Sequence, residues 1–275
     1  MSFLHPAGLL ACGGAAGLVG ALLGLGGGIF LIPALVLLYG LPMRAAAGIG
    51  LVAVVATSSA AASVNVGRGL ANMRLGIVLE PATVGGALLG ASLAGLLSSS
   101  LLVGLFAILL FANSLLLWKG PRGGPEDLAP LKARDPLGGE YHDPASGRSV
   151  SYSVERLPWV AVVSFAAGIF SALLGVGGGI LKVPALHLLG RVPMKAAAAT
   201  SNLMIGATAG AGAAVYLARG DVPVEFAGTV TLGVLGGSML GLKVSRRLSD
   251  RAVRRVFAAL TLLIGIQMLR RALGR

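Results

Sequence analysis

The stretch "GALLGLGGGIFLIP" occupies residues 20–33, and "SALLGVGGGILKVP" occupies residues 171–184. Each sets three successive glycines inside an apolar run: Gly26, Gly27 and Gly28 in the first, Gly177, Gly178 and Gly179 in the second. A glycine inside a helix costs ~1 kcal/mol relative to alanine, so a triplet marks a place where a helix stops and restarts. The amides at a restart have no partner within their own helix. They carry roughly half a positive charge and suit an anion. Glycines can also serve only to let helices pack closely. The length of the surrounding run favours a break. Residues 7–43 are nearly all apolar, and at ~1.5 Å per residue one helix over them would reach roughly 55 Å. The hydrocarbon core of a bilayer is ~30 Å thick. Two limbs joined at the glycines fit that thickness, and one straight helix does not.

The two stretches belong to a longer correspondence. Displaced by 151 positions, the sequence falls on itself without a gap. Gly17 meets Gly168, the glycine triplets coincide, and "PAL" at Pro33 meets "PAL" at Pro184. Arg44 meets Lys195, Thr57 meets Thr208, Arg68-Gly69 meets Arg219-Gly220, and Gly85-Gly86 meets Gly236-Gly237. The chain therefore reads as two homologous repeats, residues 1–118 and 159–275, joined by a polar linker, residues 119–158. Each repeat holds one long glycine-broken stretch (7–43 and 159–194) followed by three shorter ones. These are 45–66, 75–97 and 101–118 in the first, and 196–217, 226–242 and 252–269 in the second. The shorter ones approximate single crossings of ~20 residues.

Composition agrees with a membrane protein. The 275 residues are 56% hydrophobic and 12% charged, with mean hydropathy +0.88, where soluble domains carry about 25% charged residues. The net charge of +12 lies mostly between apolar runs, where it orients the chain and meets anionic lipid. It forms no basic stripe with an aromatic platform, so nucleic acid is not an expected partner. Cys12 is the single cysteine, which excludes an intrachain disulfide. "LLAC" at residues 9–12 superficially matches a lipoprotein cleavage site, but no basic region precedes it and the apolar run continues past it. An uncleaved first membrane segment is expected.

The basic residues also arbitrate topology. If each long stretch crosses once, they divide twelve against nine. If each is a hairpin that leaves on its side of entry, they divide five against sixteen, with Lys182 left inside the membrane. The second division follows the positive-inside rule. It places both termini outside the cell membrane and the 119–158 linker in the cytoplasm. Each repeat then crosses an odd number of times, so the two are inverted, as in many transporters built around broken helices. The expected fold class is an all-α polytopic membrane protein with inverted repeats, each a glycine-broken helical hairpin plus three transmembrane helices. Whether the limbs span fully or re-enter stays open at this level. Within the linker, "EYHD" and "SVSYSV" flank the turn residues "PASG" and predict a small β-hairpin. His142 and Asp143 within it read as turn chemistry rather than a metal pair.

The doubled "GLVGALLGLGGGIFLIPAL" and "GIFSALLGVGGGILKVPAL" resemble the sulfite exporter TauE/SafE family of membrane permeases. So do the "PM-(Arg/Lys)-Ala-Ala-Ala" turns that follow them, the "ATS" at Ala56 and Ala199, and the linker "GEYHDPASGRSVSY". The resemblance covers nearly the whole chain. It implies transport of sulfur-containing or organic anions such as sulfite or sulfonates.

Candidate binding residues follow from chemistry that can hold an oxyanion. The restarts after Gly26–Gly28 and Gly177–Gly179 offer amides. Lys182 lies deep in its apolar stretch, where a charge is costly and marks function, although it could snorkel to an interface. Its counterpart at the 151-residue offset is Leu31. Thr57 and Ser58 in the first repeat, and Thr200, Ser201 and Asn202 in the second, offer hydroxyls and an amide, though Ser and Thr also bond back to their own helix. Asn65 and Tyr216 are expected at an interface. Glu80, Asp221 and Glu225 could each bind a coupling proton, but the expected reading is that they pair with Arg74 or Arg219 at segment ends, leaving no acid central in a span. There is no Walker motif, and the spans contain no Ser–His, paired-Asp or metal constellation, so neither enzyme activity nor a cofactor is expected. The leading reading is a secondary transporter whose partners are a small anion and membrane lipid, with a homodimer permitted. A passive anion channel is the alternative.

Overall fold

Every long apolar stretch becomes helix among the described residues, with interruptions at Gly27 in the first and at residues 175–178 in the second. The computed structural model describes residues 6–23, 27–119, 135–143, 148–245 and 250–274. The first long stretch forms α1 (Pro6–Leu23) and α2 (Gly28–Leu37), followed by α3 (Met43–Gly67), α4 (Met73–Ala94) and α5 (Ser99–Lys119). The linker contributes β1 (Gly139–Asp143) and β2 (Arg148–Tyr152). The second long stretch forms α6 (Leu157–Leu174) and α7 (Gly179–Pro184), continued by a π-helical turn, Ala185–Leu189. After it come α8 (Met194–Ala218), α9 (Val224–Ser245) and α10 (Asp250–Ala272). Gly26 and the turn residues 144–147 lie outside the described residues.

Local chemistry accounts for the boundaries. Pro42 and Pro193 precede α3 and α8, and a residue before the first helical turn needs no backbone donor. Asn72 caps α4 by accepting from the Leu75 amide at 3.0 Å. The π turn follows Pro184, whose missing N–H removes a rung from the ladder. The ladder resumes one residue wider, with the Gly190 amide on the Ala185 carbonyl at 3.1 Å.

Among the described residues, five helices are long and apolar enough to cross a membrane: α3, α4, α5 over Ser99–Leu116, α6, and α9 over Val224–Gly241. α8 has the length of α3 but carries Lys195, Thr200, Ser201, Asn202 and Thr208. It stays inside the bundle, against α3, α4 and α7. Polar side chains are tolerated at membrane depth where they face protein.

The main packing partners are α1 with α9, α4 with α6, α3 with α8 and α5 with α10, so elements before the linker pair with elements after it. Glycines make this possible. Side-chain-sized space is absent where Gly17 meets the Val234 carbonyl, and likewise where Gly168 meets the Thr83 carbonyl. Gly237 is pressed against the Gly14 carbonyl as Gly86 is against that of Phe165. Each of these contacts has its counterpart 151 residues along. Small residues at helix interfaces let backbones approach in this way.

The hairpin is antiparallel, with Tyr141 opposite Val150 and Gly139 opposite Tyr152. Tyr141 and Tyr152 are buried in a second core with Leu75, Leu79, Val160, Leu186, Val192 and Ala196. The hairpin therefore packs onto one end of α4, α6 and α8 rather than standing free. Asp135 ties down its flanks, accepting from the Val154 amide at 2.6 Å and the Leu137 amide at 3.0 Å. Glu155 follows, with its amide on the Gly190 carbonyl and its carboxylate 3.5 Å from Arg191.

Neighbouring glycines on α9 test the packing. A Cβ at Gly237 would collide with the α1 backbone, while one at Gly236 meets nothing within 4 Å. Gly237→Ala is expected to lower unfolding stability by about 1–3 kcal/mol through overpacking. Gly236→Ala should be neutral or gain up to about 1 kcal/mol of helix propensity. Thermal midpoints in detergent measure both.

Candidate functional site

The second break is built from left-handed glycines. Gly175, Gly177 and Gly178 have φ of 77°, 79° and 75°, a region that a residue with a Cβ enters only at a cost of about 1–2 kcal/mol. Gly175 ends α6, with its amide on the Ser171 carbonyl at 2.8 Å. Tyr216 secures the same helix end: its hydroxyl donates to the Ala172 carbonyl at 3.1 Å, with that of Leu173 at 3.4 Å. Its side chain is fully buried, which corrects the expectation of an interfacial Tyr216. A phenol enclosed beside bare helix-end carbonyls satisfies them where water cannot.

α7 restarts with the amides of Leu181 and Lys182 bonded to the Gly178 carbonyl at 3.2 and 3.1 Å. The amides of Gly177, Gly178, Gly179 and Ile180 precede those bonds and have no acceptor among the described residues. The first break differs. Gly27 is right-handed, with φ −69°, and the amides of Phe30 and Leu31 bond its carbonyl at 3.3 and 3.0 Å. The two breaks meet: a Cβ at Gly28 would lie 2.9 Å from the Gly175 carbonyl oxygen and 3.3 Å from the Val176 Cα.

Two hydroxyls face the second break with no hydrogen-bond partner. The Oγ atoms of Ser171 and Ser201 are both buried and unpartnered. They lie 3.4 Å from a Cβ built at Gly178 and 3.9 Å from one at Gly179, respectively. Ser201 was a candidate from sequence and Ser171 was not. What hid Ser171 is its place within the repeated motif, where it reads as an ordinary small helix residue.

Lys182 is wholly enclosed, at 0% exposure. Helical side chains lean toward the helix N-terminus, so Lys182 reaches back along α8. Its Nζ donates to Thr208 Oγ1 at 2.7 Å. The Thr208 hydroxyl in turn has Glu80 Oε1 at 3.1 Å and the Met204 carbonyl at 2.8 Å as acceptors. Ser201 and Thr208 are seven positions apart, on one face of α8, and Ile205 between them contacts the Gly177 and Gly179 positions. The enclosed ammonium thus shares a strip of α8 with the glycine break.

Glu80 is the residue that linear reading misplaced. It was expected to pair at an interface, yet it lies across the bundle from α7, joined to Lys182 through Thr208. Arg219 pairs with no acid among the described residues; it donates to the carbonyls of Ala91 and Ser92 at 2.7 and 3.0 Å and so caps the end of α4. Arg44 does the same for Leu97 at 2.7 Å. A cation at a helix C-terminus satisfies both bare carbonyls and the dipole. Among the described residues the one ion pair is Arg191–Glu155.

The remaining candidates divide. Thr57 and Ser58 are buried, and their hydroxyls bond back to carbonyls of α3 at 3.2 Å. Ser58 also faces Gly206 of α8, 3.2 Å from a Cβ built there. Thr200 accepts from the Asn72 amide at 2.9 Å, and so joins α8 to the turn before α4. Asn72 further donates to the Leu137 carbonyl at 2.8 Å and to the Tyr152 hydroxyl at 3.2 Å. Burial raises the Tyr152 phenol above its usual range, so it stays neutral and able to accept. A cavity of about 260 Å³ lies here, lined by Asn72, Arg74, Glu140 and Tyr152 among others. Asn202 is half-buried. His187 Nδ1 donates to the Val192 carbonyl at 2.9 Å. Among the described residues no group of acids, histidines and cysteine is placed to hold a metal.

A bundle of apolar helices with a fully enclosed lysine and interrupted helices at its centre defines a polytopic membrane transporter. Residues 9–268 match the family described as "Sulfite exporter TauE/SafE", and the chain belongs to it. It is similar to the probable membrane transporter protein YunE of Bacillus subtilis, 27% identical over 268 residues that cover 95% of this chain and 96% of that one. It is similar also to the probable membrane transporter protein MJ0441 of Methanocaldococcus jannaschii, 25% identical over 95% of this chain and 94% of the relative. The probable membrane transporter protein MamO of Magnetospirillum gryphiswaldense is 27% identical across 93% of this chain, which spans 43% of that longer protein. No solved structure matches the chain. The family and these relatives are described as transporters, not enzymes.

The hydroxyls separate by what removal leaves behind. Thr200→Val strands the buried Asn72 amide and is expected to cost about 1–3 kcal/mol of stability. Ser171→Ala and Ser201→Ala remove groups that bond nothing and should stay within about 0.5 kcal/mol of the parent. Chemical or thermal unfolding of the three variants checks this.

Proposed function

We propose that this transporter is a secondary permease for small, oxygen-rich sulfur anions such as sulfite or sulfonates, and that the anion binds at the second glycine break. The observation that carries this is the enclosed Lys182 ammonium. It lies beside a helix start whose amides have no acceptor, with the Ser171 and Ser201 hydroxyls unpartnered next to it. An ammonium has three donors, and Thr208 takes one of Lys182's. A tetrahedral or pyramidal oxyanion matches the rest: several acceptor oxygens, a negative charge and a compact size. The family description, which names sulfite, supports the same chemistry.

The reading extends to architecture. Residues 1–118 and 159–275 are two copies of one unit in inverted orientation, joined by the linker 119–158. The sequence coincidence at 151 residues supports this, as does the reciprocal pairing of α1 with α9 and of α6 with α4. The chain lies in the plasma membrane with its termini outside and the linker in the cytoplasm, a reading that the five-against-sixteen division of basic residues supports. Gly27 and Gly28 form the facing half of the site, where Thr57, Ser58 and Asn202 can add polar contacts from α3 and α8. Two helix breaks in one bundle give a carrier a hinged element on each side of its ligand.

Exchange of sulfite, thiosulfate and methanesulfonate across proteoliposomes tests the reading. The wild type should exchange at least one with saturation. Lys182→Leu should raise the half-saturating concentration by about tenfold or more, the value of a lost charged hydrogen bond. Gly178→Val should abolish exchange in correctly inserted protein. No exchange of any of the three overturns the reading. Non-saturating flux in the wild type makes the protein a channel, and unchanged affinity in Lys182→Leu removes that residue from the site.

A further inference from the structure

Glu80, Thr208 and Lys182 come from three different helices, α4, α8 and α7. They form a continuous hydrogen-bonded line from ammonium to hydroxyl to carboxylate. The line is neutral when Lys182 is protonated and Glu80 is ionised. An enclosed charge is stable only when balanced, so an anion arriving at Lys182 disturbs that neutrality. It would leave the pocket with one negative charge too many. A proton on Glu80 restores the balance.

We propose that Glu80 is the coupling-proton site, gaining a proton whenever a monovalent anion sits on Lys182, so that a single proton crosses with each such anion. This rests on the anion reading given above. In the step, a hydronium ion on the side of anion entry gives up a proton: one of its O–H bonds breaks, an O–H bond forms on the Glu80 carboxylate, and water is left. On the side of release the Glu80 O–H bond breaks and a water molecule takes the proton as hydronium.

Thr208 is built to serve both states. With Glu80 ionised, the Thr208 hydroxyl accepts from Lys182 and donates to Glu80 Oε1. With Glu80 protonated, the acid can donate to Thr208 Oγ1, which has a second lone pair. The Thr208 proton then turns to the Met204 carbonyl, already 2.8 Å away. Neither state strands the Thr208 or the Glu80 proton. Among the described residues, the ionisable groups on the helices packed near Glu80 are engaged elsewhere or exposed. α6, packed along α4, has no ionisable side chain. α8 brings Lys195, exposed at its start, and Tyr216, whose hydroxyl is committed to α6. Arg74, on α4 itself, is exposed at its first turn, and His187 of the π turn is held on Val192. Lys182 is the charged group acting on Glu80. The sequence adds an independent sign. At the 151-residue offset Lys182 corresponds to Leu31, Thr208 to Thr57 and Glu80 to Thr231. The threonine recurs, and both charges are missing together, as expected of two groups that work only as a pair.

The test uses full-length protein in proteoliposomes with radiolabelled methanesulfonate, a monoanion throughout the working pH range. With voltage clamped at zero, an alkaline interior should drive wild-type accumulation by about tenfold per pH unit, the factor that one proton supplies. Glu80→Gln mimics the protonated acid. It should still exchange internal for external methanesulfonate while its accumulation ratio falls to about one, and Glu80→Asp should restore accumulation. Wild-type exchange that ignores the pH gradient overturns the inference and leaves the permease reading standing. So does accumulation by Glu80→Gln at the wild-type ratio. Loss of exchange in both Glu80 variants also overturns it, because Glu80 would then serve the fold or the anion instead. Absence of methanesulfonate exchange in the wild type overturns the anion reading and this inference with it.

Discussion

The carbonyl oxygen of Gly175 touches two glycines that precede the linker. A Cβ at Gly28 or at Gly50 would come 2.9 Å from it. Gly175 itself is left-handed and lies against the backbone of Ala47. Three glycines on three elements therefore meet at one point, and none can be replaced without moving backbone. This contact holds the end of α6 against the start of α2. It sets where α7 restarts and where Lys182 begins its reach toward Thr208. In hydrocarbon each backbone group must find a partner within the protein, so a helix can be interrupted at this depth only where other backbone is close enough to shield it. The glycines provide that closeness.

The site that results is unequal. The first break is right-handed at Gly27 and its counterpart of Lys182 is Leu31. The second is left-handed at three glycines and carries the charge. The packing around the two is nonetheless reciprocal, with α1 on α9 and α6 on α4. The correspondence at 151 residues is close for the packing glycines and departs at Lys182, where the counterpart is Leu31.

Much of this was legible in the chain. The breaks were, because apolar length exceeds bilayer thickness and glycine is costly in a helix. The hairpin was, because "EYHD" and "SVSYSV" alternate in a chain that otherwise does not. Lys182 stood out because nothing else charged lies so deep in a span. Glu80 and Tyr216 were misread for one reason: both lie near segment ends in the linear order, and end positions suggest an interface. Neighbouring helices decide otherwise. α6 and α8 cover that part of α4, and α6 ends beside Tyr216. Burial set by a partner more than 40 positions away leaves no local mark. Glu80 did leave a trace that could have been used. Comparing positions 151 residues apart for charge, and not only for glycine, finds Lys182 and Glu80 both opposite uncharged residues.

Asn72 carries a consequence for how the protein is made. Its amide waits for Thr200, 128 residues later, and its side chain for Leu137 and Tyr152, 65 and 80 residues later. During synthesis α3 and α4 leave the ribosome with the turn between them incompletely bonded. That turn is finished only after the linker and then α8 have arrived. A chain ending before α8 would leave the Asn72 amide at the base of α4 without its Thr200 acceptor.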